Sequence, residues 1–244
     1  MSGVKKQTAV LPFLVLGALI GSSVAQQATP PKAPSSTTSP STAPASTALP
    51  AGFKELPFLS ATPIRSFKTA PKMQLDKKLD YVVAMDTTKG RIVLDLFESD
   101  TPTTVNSFVW LARNHFYDGI SFHRVIASFV VQGGDPNTLK PEKPSWGAGG
   151  PGYQFGLELR KKLNFDTKGI LGMARSASPD SNGSQFYITL GPVSSLNNNY
   201  TVFGKVISGL DVLDKITIFD SSQPGDAAKT PDKMTKVTVI VKNK

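Results

Sequence analysis

The sequence contains no cysteine among its 244 residues. This absence excludes disulfide bonds, thiol nucleophiles, cysteine metal sites and lipid attachment through a cysteine, and it leaves the redox compartment undetermined. Histidine is scarce, since only His115 and His123 occur. The sequence also lacks a P-loop, a G-x-S-x-G nucleophile motif and a His-rich metal pattern. None of the common motifs for covalent, phosphate or metal chemistry is therefore present.

Clustered positive charge is missing too, although the formal net charge is +9. The densest basic run, Arg160-Lys161-Lys162, is typical of a solvated face. Nucleic-acid binding requires cations grouped with aromatic residues, so we expect no nucleic-acid partner. The hydrophobic fraction of 39% is slightly low for a wholly globular chain. It indicates one domain of ordinary size with polar appendages.

Residues 1–25 have the pattern of a secretory signal peptide. Lys5 and Lys6 form a basic start, residues 9–20 form an apolar run, and small residues at 23–25 provide a cleavage site. The apolar run is short for a membrane span. We therefore expect an exported protein of the periplasm, cell envelope or extracellular space. The alternative is an uncleaved anchor, and only then would the membrane be a partner.

Two segments of different composition follow the signal peptide. Residues 26–50 are almost entirely Ala, Pro, Ser and Thr, which predicts a disordered linker because such a segment has too little apolar surface to fold. Residues 51–80 carry apolar side chains without helical or strand periodicity. They predict an arm that either packs on the domain or is flexible. The folded domain is predicted to span residues 81–244.

From residue 81 onward the sequence has the pattern of many short strands and two helices. Residues 102–114 repeat apolar side chains at helical spacing after a cap residue and Pro102, and a second, shorter helix is predicted over 210–216. Strand-like runs cover 81–85, 91–97, 169–174, 185–190, 201–207 and 235–241. This pattern favours a mainly β fold, an antiparallel barrel capped by helices.

The stretch from 122 to 135, FHRVIASFVVQGGD, combines unlike chemistries. His123 and Arg124 interrupt an apolar run that reads as strand, and Gln132 precedes a turn. Arg124 and Gln132 are an even number of residues apart, so one continuous strand would point both to the same face. A β-hairpin whose arginine extends to solvent is the plain alternative for this stretch taken alone.

This stretch resembles the F-H-R-[VI]-I-x-x-F-x-x-Q-G-G-D run of the cyclophilin family of peptidyl-prolyl cis/trans isomerases. Further motifs of that family are similar to residues 147–152 (GAGGPG), 169–175 (GILGMAR), 182–188 (NGSQFYI) and 196–205 (LNNNYTVFGK). The resemblance covers roughly residues 81–220. It implies a closed antiparallel β-barrel of eight strands with two α-helices, in a bacterial, exported form of the enzyme.

The resemblance also implies the site residues. The catalytic residues would be Arg124, the pocket residue Phe129, and Gln132, which would accept a hydrogen bond from Arg124 and orient it. The substrate-binding residues would be His123, Ile126, Val130, Gly147, Ala174, Arg175, Ala177, Gln185, Tyr187, Leu196 and Tyr200. The expected partners are proline-containing polypeptides, and the reaction needs no metal and no cofactor.

The sequence departs from the family's human-type members beside the expected groove. Ser195 stands where a Trp is usual, which predicts only weak binding of cyclosporin-type cyclic peptides. Residues 175–177 carry a one-residue insertion. Two other functions stay open at this point: a non-catalytic module that grips Pro-containing segments, and a structural envelope protein with a vestigial domain. The presence of both Arg124 and Gln132 favours the enzyme, because a pure binder needs no donor at the rotating bond.

Overall fold

The computed structural model describes residues 52–244, so the predicted signal peptide and linker lie outside the described residues. Two α-helices, α1 (Pro102–Arg113) and α2 (Leu210–Lys215), accompany ten strands. The strands are β1 (Lys54–Glu55), β2 (Leu79–Thr87), β3 (Gly90–Leu96), β4 (Arg124–Ile126), β5 (Val130–Gly133), β6 (Ile170–Met173), β7 (Phe186–Thr189), β8 (Val202–Ser208), β9 (Phe219–Asp220) and β10 (Met234–Asn243). The predicted mainly β fold with two helices is confirmed. Within residues 52–244, neither helix has the length and apolar character needed to cross a membrane.

All the strands pair antiparallel in one sheet of order β1-β10-β2-β3-β8-β6-β7-β5-β4-β9. Near its two ends, three backbone hydrogen bonds of 2.7–2.9 Å join residues 119–122 to residues 232–234. These bonds link short segments, but the named strands at the two ends of the sheet do not pair with each other. The closed barrel therefore stays a prediction.

Helix α1 packs one apolar face into the sheet, as its spacing predicted. Val105, Phe108, Val109 and Ala112 are all buried, and the Phe108 ring lies 5.4 Å from that of Phe186. The cap differs from expectation, since the Thr101 side chain makes no capping hydrogen bond. The carboxylate of Glu158 instead accepts from the backbone N–H groups of residues 103 and 104. A carboxylate also suits the positive end of the helix dipole.

The segment 52–80, whose order the sequence left open, packs against the rest of the domain. Strand β1 pairs with β10, and the ring of Phe67 lies 4.0 Å from that of Trp110. Arg65 donates to the backbone carbonyls of His115, Phe116 and Asp118. Carbonyls in a loop need partners when they are shielded from water. We call residues 52–78 the arm; its contacts predict that it stabilises the fold.

Candidate active site

The central stretch forms a hairpin of two short strands, β4 and β5. Residues 127–129 turn between them, and Ser128 takes a left-handed conformation with φ 59°. The register places Arg124 opposite Gln132. Residues that face each other across an antiparallel pair point to the same side of the sheet. Arg124 and Gln132 therefore lie on the same face, as expected. The reason is that they are paired across a hairpin, and not that they belong to one continuous strand.

The charged neighbour of Arg124 is Asp220, which the sequence did not reveal. Strand β9 pairs with β4 so that Asp220 is opposite Arg124, and Oδ2 of Asp220 lies 3.9 Å from Nε of Arg124. The guanidinium carbon also lies 5.6 Å from the centre of the Phe129 ring. A cation beside an aromatic face is weakly attracted to it. Arg124 is therefore held between an acid and an aromatic ring.

Gln132 does not receive the expected hydrogen bond from Arg124. Its Nε2 instead donates to Oε1 of Gln185 at 3.1 Å, and Nε2 of Gln185 donates to the carbonyls of Gly147 and Gly149 at 2.9 Å. The bond to Gln185 orients the Gln132 amide through its Nε2, and its Oε1 keeps the capacity to accept a hydrogen bond. Gln185 projects from the neighbouring strand region and completes a chain of hydrogen bonds that ends in the glycine loop. The Gln185 amide makes these hydrogen bonds within the protein, and its role in holding substrate stays a prediction.

The glycine loop is fixed by a buried carboxylate. Asp135 is fully buried and accepts hydrogen bonds from the backbone N–H groups of Asn137, Gly147 and Gly149. A buried carboxylate needs such donors to offset its desolvation. Asp135 thereby fixes the carbonyls that receive Gln185. Its place in the central motif was a signal for this role that sequence reasoning did not use.

An apolar cluster lies beside these polar groups, and we call its surface the apolar pocket. Val130 and Tyr187 are buried in one cluster with partly buried side chains around them. Gly172 on β6 makes room for the aromatic ring, because a Cβ there would lie 2.6 Å from Cζ of Tyr187. Burial raises the pKa of the Tyr187 hydroxyl well above its ordinary value. The structure brings together five further predicted or neighbouring pocket residues, Phe129, Phe165, Ala174, Leu196 and Tyr200.

The loop after β6 packs against the same apolar cluster through Ala174. The backbone N–H of Ala174 donates to the carbonyl of Gln185 at 3.0 Å. The guanidinium of Arg175 lies 4.9 Å from the Tyr200 ring and donates to the carbonyl of Ala177. Arg175 thus folds back on its own loop. Ile126 is partly buried on β4, and both Ala177 and Ser195 are exposed.

His123 precedes Arg124 and is buried, with 2% of its surface exposed. Neighbouring residues of an extended segment point to opposite sides, and the predicted contact of His123 with substrate stays a prediction. Burial lowers the pKa of the imidazole from 6.5 to about 4, while the nearby Asp135 carboxylate acts in the opposite direction. His123 is therefore neutral at pH 7.

The lowered pKa of His123 predicts a pH-dependent stability. The unfolded chain binds a proton near pH 6.5 but the folded chain only near pH 4, so stability is lost as the pH falls through this window, by up to about 3 kcal/mol. Urea unfolding at several pH values checks this. His123→Gln, measured in parallel, should show a shallower fall between pH 6.5 and 4. Parallel curves for the two proteins would contradict the assignment.

The residues that form this site lie within a region that is similar to known proteins. The family model for "Cyclophilin type peptidyl-prolyl cis-trans isomerase/CLD" matches residues 82–239. The chain belongs to the cyclophilin-type peptidyl-prolyl cis-trans isomerase family. This cyclophilin is therefore an enzyme that isomerises the bond before proline, as the sequence predicted.

Relatives of this cyclophilin occur in distant organisms. The human "Peptidyl-prolyl cis-trans isomerase-like 1" is 40% identical, with 57% of this chain and 81% of the relative covered. A protein from Helicobacter pylori, "Peptidyl-prolyl cis-trans isomerase", is 45% identical over 53% and 76% of the two chains. A solved cyclophilin from Cryptosporidium parvum, described in the presence of the dipeptide Ala-Pro, matches with a TM-score of 0.57 and 30% identity over 65% of this chain and 98% of its own.

Proposed function

We propose that this cyclophilin is exported and assists the folding of exported or envelope proteins, in a bacterial cell. The observation that carries the proposal is the combination of an isomerase domain with the signal-peptide pattern of residues 1–25 and the Ala/Pro/Ser/Thr-rich segment after it. Prolyl isomerisation takes tens of seconds or longer without a catalyst, so newly exported chains gain from an isomerase in their own compartment.

A reporter fusion tests the export. Residues 1–50 are joined to an alkaline phosphatase that lacks its own leader and is active only outside the cytoplasm. We expect active phosphatase whose N-terminus begins at Gln26, and inactive phosphatase when residues 9–20 are deleted. An inactive fusion contradicts the proposal. An active but uncleaved, membrane-bound fusion favours the anchor.

The site supports a reaction without a covalent step. The amide before proline resists rotation with a barrier of about 18–20 kcal/mol because its C–N bond has partial double-bond character. As the bond twists, the prolyl nitrogen becomes pyramidal and gains a lone pair. A fixed donor aimed at that lone pair binds the transition state better than either planar form. Arg124 provides such a donor, because a guanidinium stays charged and holds its N–H groups in a rigid fork.

The remaining groups hold the substrate while one side of the bond turns. The apolar pocket of Phe129, Val130 and Tyr187 would take the proline ring, and it would remove water that stabilises the planar, polar amide. The loop after β6 would hold the substrate backbone. Binding of proline-containing peptides is supported by the structural neighbour described with Ala-Pro.

We also propose that the sheet closes into the eight-stranded barrel of the family, with β1 and β9 as short additions of two residues each. The hydrogen bonds between residues 119–122 and 232–234 support this closure. Slow amide exchange at Phe122 and Met234, equal to that of the central strands, is the expected sign of it.

Substitution of Ser195 by Trp should strengthen the binding of cyclosporin-type cyclic peptides. Ser195 is exposed and precedes Leu196 at the edge of the pocket cluster. An indole there would add buried apolar area and an N–H donor, so we expect weak binding by the natural protein and about tenfold tighter binding by Ser195→Trp. Calorimetric titration of both proteins measures the difference. Equal affinities would show that another feature of the groove limits binding.

A further inference from the structure

Arg124 has one charged neighbour in the structure, and that neighbour has no role in the mechanism above. Within residues 52–244, Asp220 is the only carboxylate within 4.0 Å of the Arg124 guanidinium, and the Arg124 side chain makes no direct hydrogen bond to another group. Gln132, the residue expected to orient the arginine, is engaged with Gln185. A long, flexible side chain without a partner loses its preferred direction at little cost. In this structure the charged contact of Arg124 is therefore made by Asp220 and not by Gln132.

The geometry around Asp220 is that of a fixed acid. Its Oδ1 accepts from both the backbone N–H and the hydroxyl of Ser222, at 2.9 and 2.7 Å. Its own N–H donates to Oδ2 of Asp226 at 2.7 Å. These bonds leave Oδ2 of Asp220 as the oxygen that points to Arg124. The carboxylate is pre-oriented, so its pairing with Arg124 needs little further ordering.

The loop that carries Asp220 is itself fastened at several points. Strand β9 pairs with β4, and the backbone N–H of Ser221 donates to the carbonyl of His123 at 3.0 Å. The ammonium of Lys143 donates to the carbonyls of residues 227 and 229 further along the same loop. Asp220 is thus held in fixed register with the strand that presents Arg124.

We propose that Asp220 is a positioning residue that holds the Arg124 guanidinium in the direction from which it meets the prolyl nitrogen. The inference rests on the role of Arg124 proposed above. Asp220 does not touch the substrate. Its carboxylate and the Phe129 ring, 5.6 Å away from the guanidinium carbon, define two sides of a slot for the arginine.

The size of the effect follows from the exposure of the pair. The side chains of Arg124 and Asp220 are 30% and 18% exposed, and the 3.9 Å separation is longer than a hydrogen bond. Pairs of this kind contribute about 0.2–1 kcal/mol, which corresponds to a change of up to about fivefold. We therefore expect Asp220→Asn to lower kcat/KM on an uncharged Ala-Pro peptide by about 1.4- to fivefold, well below the loss expected for Arg124→Ala.

Kinetics and NMR on the full-length protein test the proposal together. Asp220→Asn keeps the shape of the side chain but removes its charge. Ser222→Ala keeps the charge of Asp220 and removes the hydroxyl donor that fixes the carboxylate, so it should have an intermediate effect. This second variant serves if Asp220→Asn folds poorly. The Nε–Hε signal of Arg124 should move in both variants. Asp211→Asn, in an exposed pair with Lys215, matches the change in net charge and should leave kcat/KM and the signal unaltered.

The double variant separates this proposal from the proposed mechanism. If Arg124→Ala is nearly inactive, adding Asp220→Asn should cause no further loss, because the residue being positioned is gone. Three results overturn the role of Asp220: unchanged or higher kcat/KM in a folded Asp220→Asn, a loss of activity with an unmoved Arg124 signal, or a further loss in the double variant. If Arg124→Ala itself stays active, the mechanism fails whatever Asp220 does.

Discussion

Replacement of Arg124 by alanine should lower kcat/KM for prolyl isomerisation by about 30- to 1,000-fold, because removal of one charge-assisted donor to a transition state costs about 2–4 kcal/mol. The fold should survive. The side chain is 30% exposed, and the pairing of β4 with β5 and β9 is made by backbone groups. A protease-free, NMR-based turnover assay and a melting curve measure the two quantities on one sample.

Two further variants make this result specific. Arg124→Lys keeps the positive charge but replaces the rigid fork by a flexible ammonium, so it should recover little of the activity. Arg160→Ala removes an exposed arginine that, within residues 52–244, donates only to the carbonyl of Leu159, and it should behave as the natural protein. Near-normal turnover in a folded Arg124→Ala would contradict the role of Arg124 as the donor to the prolyl nitrogen.

Removal of residues 52–70, the larger part of the arm, should destabilise the domain strongly. A protein that begins at residue 71 lacks β1, the Phe67–Trp110 contact and the three carbonyl contacts of Arg65. It also exposes the core side chains on which Leu56 packs. We expect a loss of about 3 kcal/mol or more, which lowers the Tm of a domain of this size by about 6–12 °C.

Two control proteins, which begin at residues 26 and 52, both keep the arm and are compared with the protein that begins at residue 71. If residues 26–50 are only a linker, both should melt at the same temperature and show equal isomerase activity. Arg65→Met in the longer protein removes the carbonyl contacts without shortening the chain, and it should reproduce part of the loss. Equal melting temperatures for the proteins that begin at residues 26 and 71 would show that the arm contributes nothing to stability.

The regular elements were predictable because they depend on local periodicity. The spacing of Val105, Phe108 and Val109 identified α1, and strand-like runs next to turn residues identified β2, β3 and β10 to within a few residues. The helix cap was not predictable, because Glu158 lies more than fifty positions from the N–H groups it accepts from. The arm was ambiguous for a related reason. Its apolar residues follow the shape of the surface beneath them and have no period of their own.

The site was predictable as a set of residues but not as a set of contacts. The family motifs predicted Arg124, Phe129 and Tyr187 as one site, and the structure places the Phe129 ring near both of the other side chains. They did not reveal that Gln132 would bond to Gln185, because differences of tenths of an ångström in distance decide which of several nearby groups an amide binds. Asp220 lies outside every recognised motif, and only the pairing of β9 with β4 places it beside Arg124.

Exchange NMR on an Ala-Pro test peptide, with and without a small amount of the protein, tests the central claim most directly. Uncatalysed cis/trans exchange takes tens of seconds or longer, so the free peptide shows two separate sets of signals without exchange between them. The account predicts exchange cross-peaks between the cis and trans signals when the natural protein is added, and their near disappearance with Arg124→Ala. A folded natural protein that binds the peptide but produces no exchange would contradict the account, and would make the domain a binding module for proline-containing segments.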